Sequence, residues 1–137
     1  VSCHGHNFVK TMLRLGAERD QLTIVADQIG APTPARDLAA ACYKIAADLA
    51  QAPEKSGIYH LQGTPCVSWA DFAREIFAQA DLTCEVIGIP TSDYPTPALR
   101  PLNSRLDCSQ LTAAFDIPQP DWRAGLSDIL KDLEATI

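Results

Sequence analysis

Leu22-Thr23-Ile24-Val25-Ala26, followed at once by Asp27-Gln28-Ile29-Gly30-Ala31-Pro32-Thr33-Pro34, is the stretch that decides the fold. The first five residues are apolar or β-branched and bounded by turn formers, which predicts a short strand. Two prolines and a glycine then rule out regular structure over residues 27–34. Beyond them, Arg36–Ala50 carries Leu38, Cys42, Ile45 and Leu49 at spacings of four, three and four, and is otherwise rich in alanine. That pattern predicts an amphipathic helix. Strand, tight loop and helix in this order are the unit of α/β proteins, whose ligands bind beyond the C-terminal ends of the strands.

On the N-terminal side, Asn7 can cap a helix with Phe8, Met12 and Leu15 on one face and Gly16 as its stop. On the C-terminal side, Gly57 opens a predicted strand at Ile58–Leu61. Ser68 caps a helix over Trp69–Ala80, with Asp71 in its first turn and Phe72, Ile76 and Phe77 turned inward. Glu85–Ile89 reads as a strand, and Pro90–Ser104 holds four prolines and reads as an irregular loop. Cys108–Phe115 is a short helix ended by Pro118 and Pro120. Asp121 then caps a last helix with Trp122, Leu126, Ile129, Leu133 and Ile137 on one stripe. The alternation predicts an α/β fold, with a small sheet of about three short strands and flanking helices. Those strands could equally extend a larger sheet carried by a preceding part.

With 137 residues, 47% of them hydrophobic and 20% charged, the chain can bury one real core. Eleven Lys and Arg against seventeen Asp and Glu leave a net charge of −6. This argues against nucleic acid and against an anionic membrane surface as partners. No apolar run approaches the roughly 20 residues of a membrane-spanning helix, and no basic segment followed by an apolar one marks a signal peptide. The sequence opens on Val1 with a helix entry at hand, and is read as part of something longer. Five cysteines, an odd number without a C-x-x-C pair, fit reduced and mostly buried thiols in a cytoplasm better than a disulfide framework.

Several signatures are missing. The seven glycines, at 5, 16, 30, 57, 63, 88 and 125, form neither a dinucleotide-binding G-x-G-x-x-G nor a P-loop. There is no G-x-S-x-G, and no Tyr with Lys four residues later, so no self-contained active site and no catalytic residue is expected. Cys3-His4-Gly5-His6 clusters three soft ligands but lacks a fourth at metal spacing, and reads as a His-rich loop rather than a metal site. His60 reads as a core or edge histidine. Trp69 and Trp122 both open helices on apolar stripes, and read as core rather than as stacking surfaces.

Three residues are candidates for ligand contact. Asn7 stands at a helix N-terminus, whose free N–H groups attract a diphosphate; a cap alone would explain it as well. Gln28, in the loop after the first strand, offers a donor and an acceptor to a base edge or a sugar hydroxyl. The alternative is a rigid connector in which Thr33 caps the next helix. Arg100, in a proline-bounded loop, can grip a phosphate or pair with one of the many carboxylates.

Asn7-Phe8-Val9-Lys10-Thr11-Met12, Asp27-Gln28-Ile29-Gly30-Ala31-Pro32-Thr33, Gly57-Ile58-Tyr59-His60-Leu61, Ser68-Trp69-Ala70-Asp71-Phe72-Ala73, Arg100-Pro101-Leu102-Asn103-Ser104 and Pro120-Asp121-Trp122 occur in this order. Together they resemble the C-terminal part of the dTDP-4-dehydrorhamnose reductase family, within the extended short-chain dehydrogenase/reductase superfamily. The resemblance covers nearly the whole chain. It implies that residues 1–137 are the sugar-nucleotide-binding part of a reductase that converts dTDP-4-dehydro-L-rhamnose to dTDP-L-rhamnose for polysaccharide. NADPH or NADH and the Tyr-x-x-x-Lys pair would then belong to an N-terminal Rossmann half absent from this chain, leaving the fragment inactive alone. Asn7, Gln28 and Arg100 would face the dTDP-sugar. Some members hold Mg²⁺ at a homodimer contact through glutamates, and Arg36 stands at one such place here, against that metal. Within the same superfamily the methionine adenosyltransferase β subunit is a non-catalytic alternative, and an epimerase or dehydratase half is another. A domain shaped against a larger sheet would be marginally stable or self-associating by itself.

Overall fold

The computed structural model describes residues 1–135; Ile137, expected on the last apolar stripe, lies outside the described residues. The helices are α1 (Phe8–Glu18), α2 (Ala35–Gln51), α3 (Trp69–Gln79), α4 (Ser109–Phe115) and α5 (Trp122–Glu134). The strands are β1 (Gln21–Val25), β2 (Ile29–Gly30), β3 (Val67–Ser68) and β4 (Glu85–Ile89). β1 and β4 pair in parallel from Gln21 opposite Glu85 to Val25 opposite Ile89. Parallel neighbours need a crossover, and α3 supplies the helix that covers them. β2 and β3 form a second, antiparallel pair of two residues each. The α/β class is therefore as the alternation predicts.

Local chemistry explains where the helices start. The Asn7 side-chain oxygen accepts from the Lys10 N–H at 3.3 Å, Ser68 Oγ accepts from the Asp71 N–H at 3.0 Å, and Asp121 Oδ1 accepts from the Arg123 N–H at 2.9 Å. Each satisfies a donor that the first helical turn leaves without a partner. Asp71 completes its cap by accepting from the Ser68 hydroxyl at 2.8 Å. The main core joins α1, β1, α3, β4 and α5 through Val9, Phe72, Ile76, Trp122 and Leu126, all buried. A smaller cluster joins Ala41 of α2 to Leu111, Phe115 and Ile117.

Five expectations change on contact with the fold. Gly16 does not stop α1; it lies inside the helix, where a Cβ would stand 2.6 Å from the Phe77 ring, so the glycine lets α1 close on α3. Residues 27–34 are not free of regular structure, because Ile29 and Gly30 pair with Ser68 and Val67. Ile58–Leu61 is not a strand; no partner strand reaches it among the described residues, and Ile58 is 85% exposed. On α2 the apolar stripe is only half used: Ile45 and Leu49 pack on the smaller cluster, while Leu38 and Cys42 are exposed. Of the five cysteines, all free, only Cys84 and Cys108 are buried.

Two backbone approaches fasten the loops. Gly63 donates to Thr33 Oγ1 at 3.1 Å, and a Cβ on Gly63 would collide with the Pro32 carbonyl. Gln62, buried, pairs with the backbone of Leu106 as a strand would: its Oε1 accepts from the Leu106 N–H at 3.1 Å and its Nε2 donates to the Leu106 carbonyl at 3.3 Å. Because the obstacle at Gly63 is main chain rather than a movable side chain, Gly63→Ala is expected to lower unfolding stability by about 1–3 kcal/mol. Urea unfolding checks it, and an unchanged midpoint would show that the two loops separate at little cost.

Candidate functional site

The first layer of the site is a latch between the ends of the two parallel strands. Beyond the last rung, the Ala26 N–H donates to the Ile89 carbonyl at 2.8 Å. The Asp27 carboxylate then accepts from the Thr91 hydroxyl at 2.6 Å and from the Thr91 N–H at 2.9 and 3.0 Å. The Thr91 hydroxyl and then its N–H hold the Asp27 carboxyl below the usual carboxylate range. Gln28 Nε2 donates to Thr91 Oγ1 at 3.1 Å. Ile29, next in line, binds the returning chain: its N–H donates to the Leu102 carbonyl at 2.8 Å, and its carbonyl accepts from the Ser104 N–H at 2.9 Å. The loop after β1 is thus bonded to both ends of the proline-rich loop after β4.

Two adjoining hollows open over this layer. One, of about 300 Å³, is lined by Asn7, Phe8, Gln28, Ser68, Trp69 and Ser104 among others. The second, of about 770 Å³, is lined by Arg19, the whole of β1, Gln28, Trp69, Tyr94 and Arg100 among others. Phe8, Gln28 and Trp69 border both. The outer edge of β1 has no partner strand among the described residues, and all five residues of β1 line the larger hollow. Neither Arg19 nor Arg100 has an ion-pair partner among the described residues, and no carboxylate lines that hollow. In a chain of net charge −6, this is a locally cationic concavity.

Of the three residues expected from sequence, Gln28 is brought together with each of the others, whereas Asn7 and Arg100 line different hollows. The Asn7 side chain is already engaged: besides capping α1, its Nδ2 donates to the Ser2 carbonyl at 2.8 Å. Whatever α1 offers a ligand comes from its N-terminal backbone rather than from that amide. Trp122 is core, 1% exposed with its indole N–H on the Pro65 carbonyl at 2.6 Å. Trp69 is not: it is 44% exposed, lies 4.8 Å centroid to centroid from Phe8, and faces both hollows. Trp69 and Arg19 are the site residues that sequence reasoning missed. Thr33 does not cap α2, whose N-cap is Pro34; it accepts instead from Gly63. His60 is exposed, not a core or edge histidine.

Arg36 pairs with Asp132 at 3.1 Å and Asp128 at 3.8 Å on α5, so at the position where the resemblance implied a metal-binding glutamate the chain carries a cation already paired with two carboxylates. A divalent cation does not fit that position. Cys3 Sγ lies 3.5 Å from His4 Nε2, and among the described residues no three His, Cys, Asp or Glu side chains gather as a metal site.

Both hollows are lined by aromatic rings and pass Gln28 just beyond the carboxyl end of β1; the larger also runs along β1 and holds two arginines without an ion-pair partner among the described residues. Comparison with known proteins supplies the family. The profile of the RmlD substrate binding domain matches residues 2–135, and the chain belongs to that family. The dTDP-4-dehydrorhamnose reductase of Aggregatibacter actinomycetemcomitans is 47% identical over 133 residues, covering 92% of this chain and 45% of the relative. The enzyme of that name from Escherichia coli K12 is 40% identical, covering 96% and 46%. A crystal structure of the Bacillus anthracis dTDP-4-dehydrorhamnose reductase in complex with NADP superposes with a TM-score of 0.84 at 35% identity, over 94% of this chain and 44% of that one. The Clostridium acetobutylicum structure gives 0.83 at 33%, over 95% and 45%. The chain spans about half the length of the curated relatives it matches.

The latch has a pH signature. An unfolded aspartate titrates near its ordinary value of about 3.9, and the folded Asp27 titrates lower. Its contribution to stability is therefore complete above the unfolded value and is lost as pH falls through the folded one. Asp27→Asn is expected to have a lower urea midpoint than the parent at pH 7, with the gap closing below about pH 4. A gap that persists unchanged at pH 3 would show that the carboxylate charge is not what holds Thr91.

Proposed function

We propose that this chain is the sugar-nucleotide-binding part of an NAD(P)H-dependent reductase, and that it holds dTDP-4-dehydro-L-rhamnose while polypeptide outside the chain reduces the 4-keto group to give dTDP-L-rhamnose. The single observation that carries the reading is the pair of hollows meeting at Gln28 and Trp69, with Arg19 and Arg100 unpaired in one and the N-terminus of α1 at the other. A nucleotide diphosphate asks for these parts: a flat surface for the base, peptide groups at its edge, and cationic groups for the phosphates. In this reading Trp69 meets the base. Gln28 lies by the base or its sugar. Arg100 and Arg19 neutralise phosphate, and Asn7 sets the N-terminus of α1 toward the diphosphate. The names of the relatives support the dTDP-sugar as ligand.

The residues present do not fit a dinucleotide. Gly30 is the only glycine in the loop between β1 and α2, and no Tyr-x-x-x-Lys pair occurs. NADP, named for the Bacillus anthracis structure, belongs in this reading to a preceding Rossmann half, together with the hydride and proton transfers. This chain's residues bind and orient the sugar nucleotide and supply no chemical step. A cytoplasmic setting and a homodimer of the whole enzyme go with the proposal.

The test is binding by the chain itself. A ligand of the native state raises the melting temperature with concentration, so dTDP is expected to do so while inorganic phosphate does not. Trp69 is the exposed one of the two tryptophans, and its emission should change on dTDP addition and cease to respond in Trp69→Phe. Arg100→Ala should weaken dTDP about tenfold, as expected for loss of a hydrogen bond to a charged group. No turnover of dTDP-4-dehydrorhamnose with NADPH is expected from the chain alone. Turnover, or indifference to dTDP, would contradict the assignment.

A further inference from the structure

The latch does more than join two loops, because it also bonds one end of the Gln28 amide. The Asp27 carboxylate is acceptor-only when ionised, and the Thr91 hydrogen bonds keep it so at neutral pH. Thr91 has one hydroxyl proton, and its Oγ1 stands 2.6 Å from Asp27 Oδ1, so the proton lies on that line. Thr91 Oγ1 can then only accept from Gln28, 3.1 Å away. The Gln28 group facing Thr91 must be the NH₂, which settles by proton counting an amide orientation that electron-rich O and N alone leave ambiguous. Oε1 is left on the far side. It takes no hydrogen bond among the described residues, and it belongs to a side chain that borders both hollows.

We infer that Gln28 is a positioning-locked acceptor: Asp27, acting through Thr91, fixes its carbonyl oxygen toward the ligand, so that Gln28 selects a hydrogen-bond donor on the nucleotide. The donors available on a thymidine diphosphate are the imide N–H of the base and the 3′-hydroxyl of the deoxyribose. This rests on the nucleotide reading above and deepens it. Thr91 and Asp27 touch no ligand in this scheme; they act through the orientation of Gln28.

The experiment is a calorimetric titration of the chain with dTDP, its N3-methyl analogue and its 3′-deoxy analogue. One of the two analogues is expected to bind about tenfold more weakly than dTDP, as loss of one hydrogen bond to a locked acceptor requires. The penalty should vanish in Gln28→Leu and persist in Thr91→Ser, which keeps the hydroxyl. It should shrink in Asp27→Asn, whose amide can donate to Thr91 and free Gln28 to turn over. Which analogue suffers identifies the donor. Equal binding of all three nucleotides, or a penalty that survives Gln28→Leu, overturns the inference while leaving dTDP binding in place. A chain that does not bind dTDP at all overturns the nucleotide reading and this inference together.

Discussion

The Asp27 carboxylate on Thr91 is the interaction on which the rest of the site depends. Among the described residues the parallel sheet has two strands, and beyond its last rung nothing in the pairing of β1 with β4 dictates where the following loops go. A carboxylate accepting three contacts from a single residue supplies that constraint, and charge-assisted hydrogen bonds are the strong kind. From it the other positions follow. Gln28 is turned by Thr91, Ile29 is left free to bind Leu102 and Ser104, and the segment carrying Tyr94 and Arg100 is tethered at both ends. A fifteen-residue span with four prolines over residues 90–104 can therefore present an arginine without regular structure of its own.

The cationic hollow gains its character from what surrounds it. Arg14, Arg36, Lys44, Arg74, Arg123 and Lys131, six of the eleven Lys and Arg, each have a carboxylate partner, so just over half of the positive charge on this acidic chain is neutralised locally. Arg19 and Arg100 have no such partner among the described residues, and both line the same concavity beside β1. Exposed pairs elsewhere add little stability in water. Their consequence here is electrostatic: the positive charge left without a partner is concentrated in the hollow that Trp69 also lines.

Much of the fold was legible because its causes are local. Asn7, Ser68 and Asp121 announce helix starts through hydrogen bonds made within three residues, and α1, α3 and α5 begin where they stand. β1 could be read from Leu22, Thr23, Ile24 and Val25, and β4 from Val86, Ile87 and Ile89. What could not be read is tertiary. Gly16 looks like a helix stop until Phe77 is seen packed against it. Ile58–Leu61 has the composition of a strand but no neighbour to pair with among the described residues, and Leu38 on α2 is patterned for a burial those residues do not provide. At the candidate site, Gln28 and Arg100 were expected from loop position and chemistry, and both line the larger hollow. Trp69 was not, because an aromatic residue opening an amphipathic helix looks the same in sequence whether its ring turns to the core or to a hollow. Arg19 carried no signal at all; only its lack of an ion-pair partner among the described residues and its place in the hollow's lining mark it.

Amide chemical-shift mapping of the chain on addition of dTDP tests the central claim most directly, since it reports every backbone position at once. The account predicts one contiguous set of shifts: the first turn of α1, β1, Gln28, Thr91, Trp69 and the residues around Arg100. Shifts gathered instead around Cys3, Arg36 and Asp128, at the separate hollow of about 510 Å³, or on the exposed face of α2, would contradict it.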